Sequence, residues 1–487
     1  MTGPGPGEAA LSAGWEPVIG LEVHCELRTR TKLFCGCRNA FGDEPNTNVC
    51  PVCLGLPGSL PVLNAVAVEF AMRIGMALHC EIRPSLFHRK NYFYPDMPKD
   101  YQVSQYDAPI NVNGWLELPD GSRVGVERAH MEEDTGKTSH IGGGGRIHDA
   151  EHALVDYNRA GVPLVEIVSA PDIRSSSQAR LYASELRAIL VATGASDGRM
   201  EEGSMRVDAN VSVRPAGKVE LGTRCEIKNL NSLRSLGRAI EFEIERQVTL
   251  LESGATVVQQ TRHWNEDAGE TVALRSKEEA FDYRYFPEPD LVPVVPDAGW
   301  QAEVAVALGP MPADRRATLA ALVGPAHASE ARTDQIATVV ELGLDGLVTA
   351  AAAGGADAGL ALARAANEAA ADVDAALRLD TAAFTTLVRM EQEATLSATQ
   401  AKAVLAAMLE SGGDPAEIAR AKGFEALEES SLATVVAEVV AAHPDEWQRY
   451  VEGEDKLVGF FTGKVMRATE NRANGKAVAA ELNRLRA

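Results

Sequence analysis

The sequence predicts an α+β body followed by a helical region, and three observations carry that expectation. Strand-like alternation, helical patterns and Gly/Pro turns are mixed irregularly from Val18 to about Pro296. From about Asp297 to Gly413 the chain turns Ala-rich and strand-poor, with helical patterns such as Leu360–Leu377. From Asp414 onward come short helical patterns: Pro415–Lys422, Ser431–Ala442 and Lys456 to the end. The expected organisation is a flexible Gly/Pro leader (1–17), a body (18–296), a helical domain (297–413) and a helical tail domain (414–487).

Composition excludes several classes. Hydrophobic residues make up 45% and charged residues 24%, so disorder, collagen and coiled coil fail as descriptions of the whole. No apolar run reaches the ~18 residues of a membrane span. The leader lacks a basic start and an apolar stretch, so it does not read as a signal peptide, and a cytosolic location is expected. A net charge of −22 argues against coating nucleic acid by bulk charge. The tail differs: from Lys456 on, seven basic residues stand against Glu470 and Glu481, a local +5 that can meet a phosphate backbone. On charge alone, a solvated C-terminal helix is the favoured reading.

Within the body, Val18–Leu27 alternates with period two, setting Leu21, Val23, Cys25 and Leu27 opposite Glu22, His24 and Glu26. Side chains two apart on a strand stand about 7 Å from each other, a spacing suited to holding a cation. Arg206–Arg214 alternates likewise, with Arg206, Asp208, Asn210, Ser212 and Arg214 on one face. In the next strand Arg224, Glu226 and Lys228 share a side. If these strands pair, their polar faces combine carboxylates, imidazole and cations. Magnesium with phosphate oxygens needs that mixture: acids for the metal, Arg and Lys for the phosphates. Glu132-Glu133-Asp134 and Glu201-Glu202 lie on adjoining segments.

Two helices are expected to back the sheet. Ser175–Ser177 offer caps for one, closed by Gly194, and Asn231/Ser232 for another, closed by Gly254. Each follows a strand-like segment, Leu164–Val168 and Arg224–Lys228.

The nucleotide motifs fail. Gly136-Lys137-Thr138 resembles the end of a P-loop, but the first glycine would have to be Met131, and Gly142–Gly145 reads as a flexible loop. Any ATP would therefore be held by a sheet face. Cys35-Gly36-Cys37 and Cys50-Pro51-Val52-Cys53 have the spacing of a four-cysteine structural zinc site, with reduced loop thiols as the bland alternative; Cys25, Cys80 and Cys225 sit in apolar patterns. Phe87–Tyr101 is basic, aromatic and too Pro-rich for a helix. It suits a nucleotide or an RNA 3′ end, or else an aromatic hairpin in the core.

Seven segments in order carry a resemblance: Val18–Leu27, Arg89–Gln105, His130–Thr138, Asp156–Ser169, Met200–Arg214, Cys225–Ser232 and Asp282–Pro289. Together they resemble the B subunits of bacterial aspartyl/glutamyl-tRNA amidotransferases over nearly the whole chain. The resemblance implies an antiparallel-sheet body of the glutamine synthetase and guanidino kinase type, followed by a helical region and a tRNA-contacting tail. It implies ATP- and magnesium-dependent phosphorylation of the side-chain carboxylate of Glu on tRNA(Gln) or Asp on tRNA(Asn). Amidation would follow with ammonia from a glutaminase A subunit, in a heterotrimer with a small C subunit and without membrane or DNA. Carried over by motif, Glu22, His24 and Glu133 would be metal ligands, Asp208 and Glu226 would complete the magnesium shell, and Lys90, Arg206 and Lys228 would face the phosphates. The four cysteines are not universal in the family, so zinc rests on their spacing. Two rival classes remain: a zinc-closed tRNA-binding scaffold without chemistry, and a free-standing amide ligase. The scaffold leaves the acids of three strands unexplained. The ligase lacks any amidase constellation in the sequence.

Overall fold

Period-two alternation becomes strand wherever both faces find partners, and the long first strand shows how. In the computed structural model β1 (Trp15–Glu26) buries Leu21, Val23 and Cys25 completely on one face, while Glu22, His24 and Glu26 on the other are only partly covered. The structure describes residues 14–142, 151–273, 284–324, 329–424, 429–469, 473 and 475–486. Expectations placed on the leader before Gly14, on Gly143–Gly145, on Asp282-Tyr283 and on Glu470 and Arg472 lie outside them, as does the side chain of Lys476.

The remaining strands follow in chain order. They are β2 (Glu81–Ile82), β3 (His88–Asn91), β4 (Tyr101–Ser104), β5 (Asn111–Glu117), β6 (Arg123–Glu133), β7 (Lys137–Ile141) and β8 (His152–Asp156). After them come β9 (Pro163–Ser169), β10 (Met205–Pro215), β11 (Cys225–Leu230), β12 (Gln260–Asn265), β13 (Glu270–Ala273) and β14 (Phe286–Pro287). Twelve of these form one sheet whose main path runs β13-β12-β11-β10-β1-β9-β6-β4-β3-β14, with β5 paired to β6 and β2. Every pairing is antiparallel except β11 with β12. β7 and β8 form a separate hairpin. The Pro-rich segment after Phe87 thus supplies two strands and their connection; Phe87 and Met97 are buried and Phe93 is exposed.

Helices α1 (Ala65–Ala77), α2 (Ser176–Ala192) and α3 (Leu233–Glu252) and the shorter α4 (Ala298–Val306) complete the body. Ser175 and Ser232 cap α2 and α3 as expected, each accepting an amide hydrogen bond from the third residue on. Gly194 and Gly254 follow with positive φ. Tyr182, Leu186, Ile189 and Leu190 of α2 and Leu236, Ile240 and Ile244 of α3 enter the same core as the apolar face of β1. One glycine marks a very close approach. A Cβ on Gly75 of α1 would fall 1.9 Å from Asn111 Oδ1, and the Asn111 amide donates to the carbonyls of Ala71 and Ala129.

From Pro312 every described regular element is helical, from Pro312–Val323 to Gly475–Arg486. One core gathers Leu319, Val339, Leu362, Phe384, Leu387 and Val404; a second gathers Val436, Tyr450, Phe461, Val465, Val478 and Leu482. Two expected helices are broken. The pattern Leu360–Leu377 splits because Asp372 caps a new turn through the Ala375 amide, and Lys456 to the end divides into Leu457–Ala468 and Gly475–Arg486. Among the described residues no single helix is long and apolar enough to cross a membrane.

Gly75→Ala should destabilise the body by about 1–3 kcal/mol, because the new methyl displaces a doubly bonded buried amide. A lowered thermal midpoint of the full chain checks this; an unchanged midpoint contradicts the packing described.

Candidate active site

β1 is bonded on both edges, so its polar face becomes the centre line of a wider polar surface. Across to β10 the register sets Glu22 opposite Asp208 and His24 opposite Arg206; across to β9 it sets His24 opposite Glu166. One strand further, Glu166 lies opposite His130 of β6. Four strands thereby align His130, Glu166, His24 and Arg206 in one row.

Two clusters form on this surface. In the first, His24 Nε2 lies 3.7 Å from Glu132 Oε1 and 3.8 Å from Glu166 Oε2, and one ligand atom from each of the three falls within 4.8 Å of the others. In the second, Lys228 Nζ lies 2.6 Å from both Asp208 Oδ2 and Glu226 Oε1, while Asn210 donates to Glu22 Oε1 at 2.8 Å. Arg206 bridges to Asp134 at 2.8 Å. A pocket of about 430 Å³ opens beside Glu22 and Asn210, lined also by Gly20, Ser212, Gly222 and Arg224.

Burial governs the electrostatics. It lowers the His24 pKa to about 4, helped by Arg206 and Lys228, so the imidazole is neutral and can offer a lone pair. Burial, and then Glu166, pushes Glu132 up to about 8; burial, and then Glu22, pushes Glu166 up to about 7. Glu26 rises to about 7 through burial and Asp134. Lys90 of β3 adds positive potential at His24, Glu132 and Glu166. Crowded, desolvated carboxylates beside a neutral imidazole are a donor set that a divalent cation would relieve, so these residues fit such an ion.

The expected single metal shell is therefore divided. Glu133 is not on this face. It neighbours Glu132 in a strand and points the other way, accepting from the Val103 amide, pairing with Lys99 and lining a small cavity with Cys53 and Glu288. Glu132 takes the inward position. Asp208 and Glu226 share the face but surround Lys228, and Lys228 is held by these acids. Glu201 and Glu202 sit on an exposed turn. Sequence reasoning missed Glu166, His130 and Arg128. Glu166 is the lone charge in the apolar run Pro163–Ser169, and that was its available signal.

The four loop cysteines converge, with one sulfur of each within 4.8 Å of the rest. Hydrogen bonding from Cys35, the largest influence, depresses the Cys53 thiol to about 5, and the fully buried Lys32 adds to the effect. Burial raises Cys37 to about 11. Four gathered sulfurs beside a buried cation fit a thiolate-bound metal ion.

The family model described as the GatB/GatE catalytic domain matches residues 17–302, and the one described as the GatB domain matches residues 360–485. The B subunit of the aspartyl/glutamyl-tRNA(Asn/Gln) amidotransferase of Thermobifida fusca is 46% identical, covering 97% of this chain and 94% of the relative. That of Carboxydothermus hydrogenoformans is 46% identical over 95% and 97%, and that of Mycobacterium sp. strain KMS 48% identical over 96% and 95%. Two domain models in order and near-complete alignment at this identity make the chain a member of the GatB family, that of aspartyl/glutamyl-tRNA(Asn/Gln) amidotransferase B subunits.

Proposed function

We propose that this chain is the carboxylate-activating subunit of a glutamine-dependent tRNA amidotransferase, working in the cytosol on Glu-tRNA(Gln), Asp-tRNA(Asn) or both. The observation that carries the reading is the cluster of His24, Glu132 and Glu166 on a sheet face that also presents Arg206, Lys228 and Lys90. A carboxylate is a poor acyl donor. Transfer of the ATP γ-phosphoryl group to one of its oxygens leaves ADP and an acyl phosphate. Ammonia then attacks the carbonyl carbon, the C–N bond forms as the C–O bond breaks, a proton is lost and inorganic phosphate leaves. Magnesium, when bound, would neutralise phosphate charge during the transfer.

The chain's own residues divide the remaining work. His24, Glu132 and Glu166 would hold one magnesium ion. Glu22, Asp208 and Glu226 offer a further acidic set, and Lys228 would exchange these acids for a phosphate. Arg206, oriented by Asp134, and Lys90 would neutralise phosphate oxygens. The pocket beside Glu22 suits the nucleoside end of ATP. The large antiparallel sheet with one polar face supports kinship with glutamine synthetase and guanidino kinases. Ammonia would come from a glutaminase A subunit, with a small C subunit completing the heterotrimer. The cysteine site would hold structural zinc. The tail from about Asp414 would contact tRNA: its Arg484–Glu481 and Arg486–Asp455 pairs are exposed and weak, so a phosphate backbone can compete for these guanidinium groups.

In the complex assembled with its partner subunits, His24→Ala, Glu132→Ala and Glu22→Ala should each lower ATP-dependent amidation on the order of 100-fold or more, with glutaminase chemistry retained. Normal magnesium-dependent amidation in the first two variants would sink the metal assignment. Purified chain should contain one zinc ion, and Cys53→Ser should lose metal and thermal stability before turnover; protein prepared without chelator and free of zinc contradicts this. Truncation near Gly413 should weaken tRNA binding and flatten its salt dependence while leaving metal binding intact. Equal affinity and salt slope in the truncated protein would move recognition into the body.

A further inference from the structure

His130 is the buried group that the reading above leaves unused. Its side chain is fully buried on β6, and neither ring nitrogen has a hydrogen-bond partner among the described residues. Leaving a buried polar group unsatisfied is unfavourable, so an apolar residue would serve the core better unless the ring has a task. Nε2 lies 3.5 Å from Glu166 Oε2, just beyond hydrogen-bond length, and Tyr106 packs edge-on against the ring with centroids 6.0 Å apart.

Among the described residues, three imidazole or guanidinium groups lie within 4 Å of Glu166: His130, His24 at 3.8 Å on the same oxygen, and Arg128 at 3.9 Å on the other. Each can do something different. His24 Nε2 faces both carboxylates, so as a metal ligand it must keep a lone pair there and cannot donate to Glu166. Arg128 is at ion-pair distance only. Among the three, His130 is the one whose unpartnered Nε2 is placed to give Glu166 a directed hydrogen bond.

We propose that His130 is a positioning residue that donates its Nε2 proton to Glu166 Oε2, fixing that carboxylate's orientation for the divalent cation. The proposal rests on the metal reading of His24, Glu132 and Glu166. Partners of this kind orient ligating carboxylates and tune affinity without touching the ion.

The test uses the full chain and Mn²⁺ alone as probe, with binding followed by electron paramagnetic resonance. His130→Leu should raise the Mn²⁺ Kd by about 10–100-fold, whereas His130→Gln, whose amide nitrogen reaches to the position of Nε2, should stay within about threefold of the parent. His130→Asn, which mimics Nδ1 instead, should behave as the Leu variant does. Independently of metal, the ¹⁵N spectrum of the histidine-labelled parent should show His130 neutral with its proton on Nε2. The proposal is overturned if His130→Leu binds Mn²⁺ as the parent does. It is equally overturned if Gln and Leu lose affinity together in step with melting temperature, which marks a packing role, or if the proton sits on Nδ1. A parent whose Mn²⁺ binding is unchanged by His24→Ala has no ion at this cluster. That result removes the metal reading itself, and this proposal with it.

Discussion

Because β1 is hydrogen-bonded along both edges, its side chains have only two directions open, and everything at the site follows from that restriction. One direction is filled to exclusion by Leu21, Val23 and Cys25 against α2 and α3. The other must carry Glu22, His24 and Glu26 in a place where water is already scarce. Burial and the crowding of like charges are unfavourable, and together they push the pKa of Glu26, Glu132 and Glu166 upward. A fold seeking stability alone would put apolar or paired side chains there. The retention of crowded acids beside a neutral imidazole is what an ion-binding surface requires before the ion arrives.

What was legible in the sequence tracks how strictly the alternation holds. β1 and β10 are regular over ten residues, so Glu22, His24, Arg206, Asp208 and Asn210 could be assigned to one face before any pairing was known. β11 was short but alternated cleanly, which gave Glu226 and Lys228. β6 was not legible, for a physical reason: from Ala129 to Glu133 it is buried on both faces, so polar and apolar residues do not alternate along it. Without that alternation, Glu132-Glu133 offered either choice. Glu166 was hidden differently. A strand buried on both sides reads as an apolar run, and one acid within it looks like an interruption. The helix caps were visible because Ser175 and Ser232 act through local geometry alone. The break after Asn367 was not, since Asp372 competes with the continuing helix for amide bonds.

Glu132 and Glu133 show how two adjacent buried acids take opposite roles. Glu133 is satisfied by Lys99 and the Val103 amide, and it belongs to the packing between the sheet and the cysteine loop. Burial, and then the like charge of Glu166, raises the Glu132 pKa to about 8 and favours its uncharged form. The alternation of a single strand separates a carboxylate paired with Lys99 from one that faces His24, with no difference in residue type.

The cysteine loop is connected to this surface by backbone rather than by proximity alone. Asn46 and Asn48 of the loop receive hydrogen bonds from, or give them to, Asp156, Tyr157 and Asn158 at the end of β8 and just beyond it. Lys32 Nζ donates to the Tyr157 carbonyl and the Leu33 amide to the Gly161 carbonyl. Gly161 in turn donates to the Asp134 carbonyl, and the Asp134 carboxylate holds Arg206 in the polar row. The path therefore runs from the sulfurs through Lys32 and the residue 157–161 turn to a guanidinium at the site. Gly161 sits at the crossing, in a left-handed conformation that leaves Cys53, Lys32 and Glu133 within 4 Å of where a side chain would begin. A metal ion gathering four thiolates would fix one end of that path. Without such an ion the thiols lose their common anchor, and the first consequence expected along the chain of bonds is a looser Asp134. Arg206 would then be less well oriented on the face that must meet phosphate. An ion held by the cysteines would in this sense be structural, and what it would structure is the cationic side of the polar sheet face.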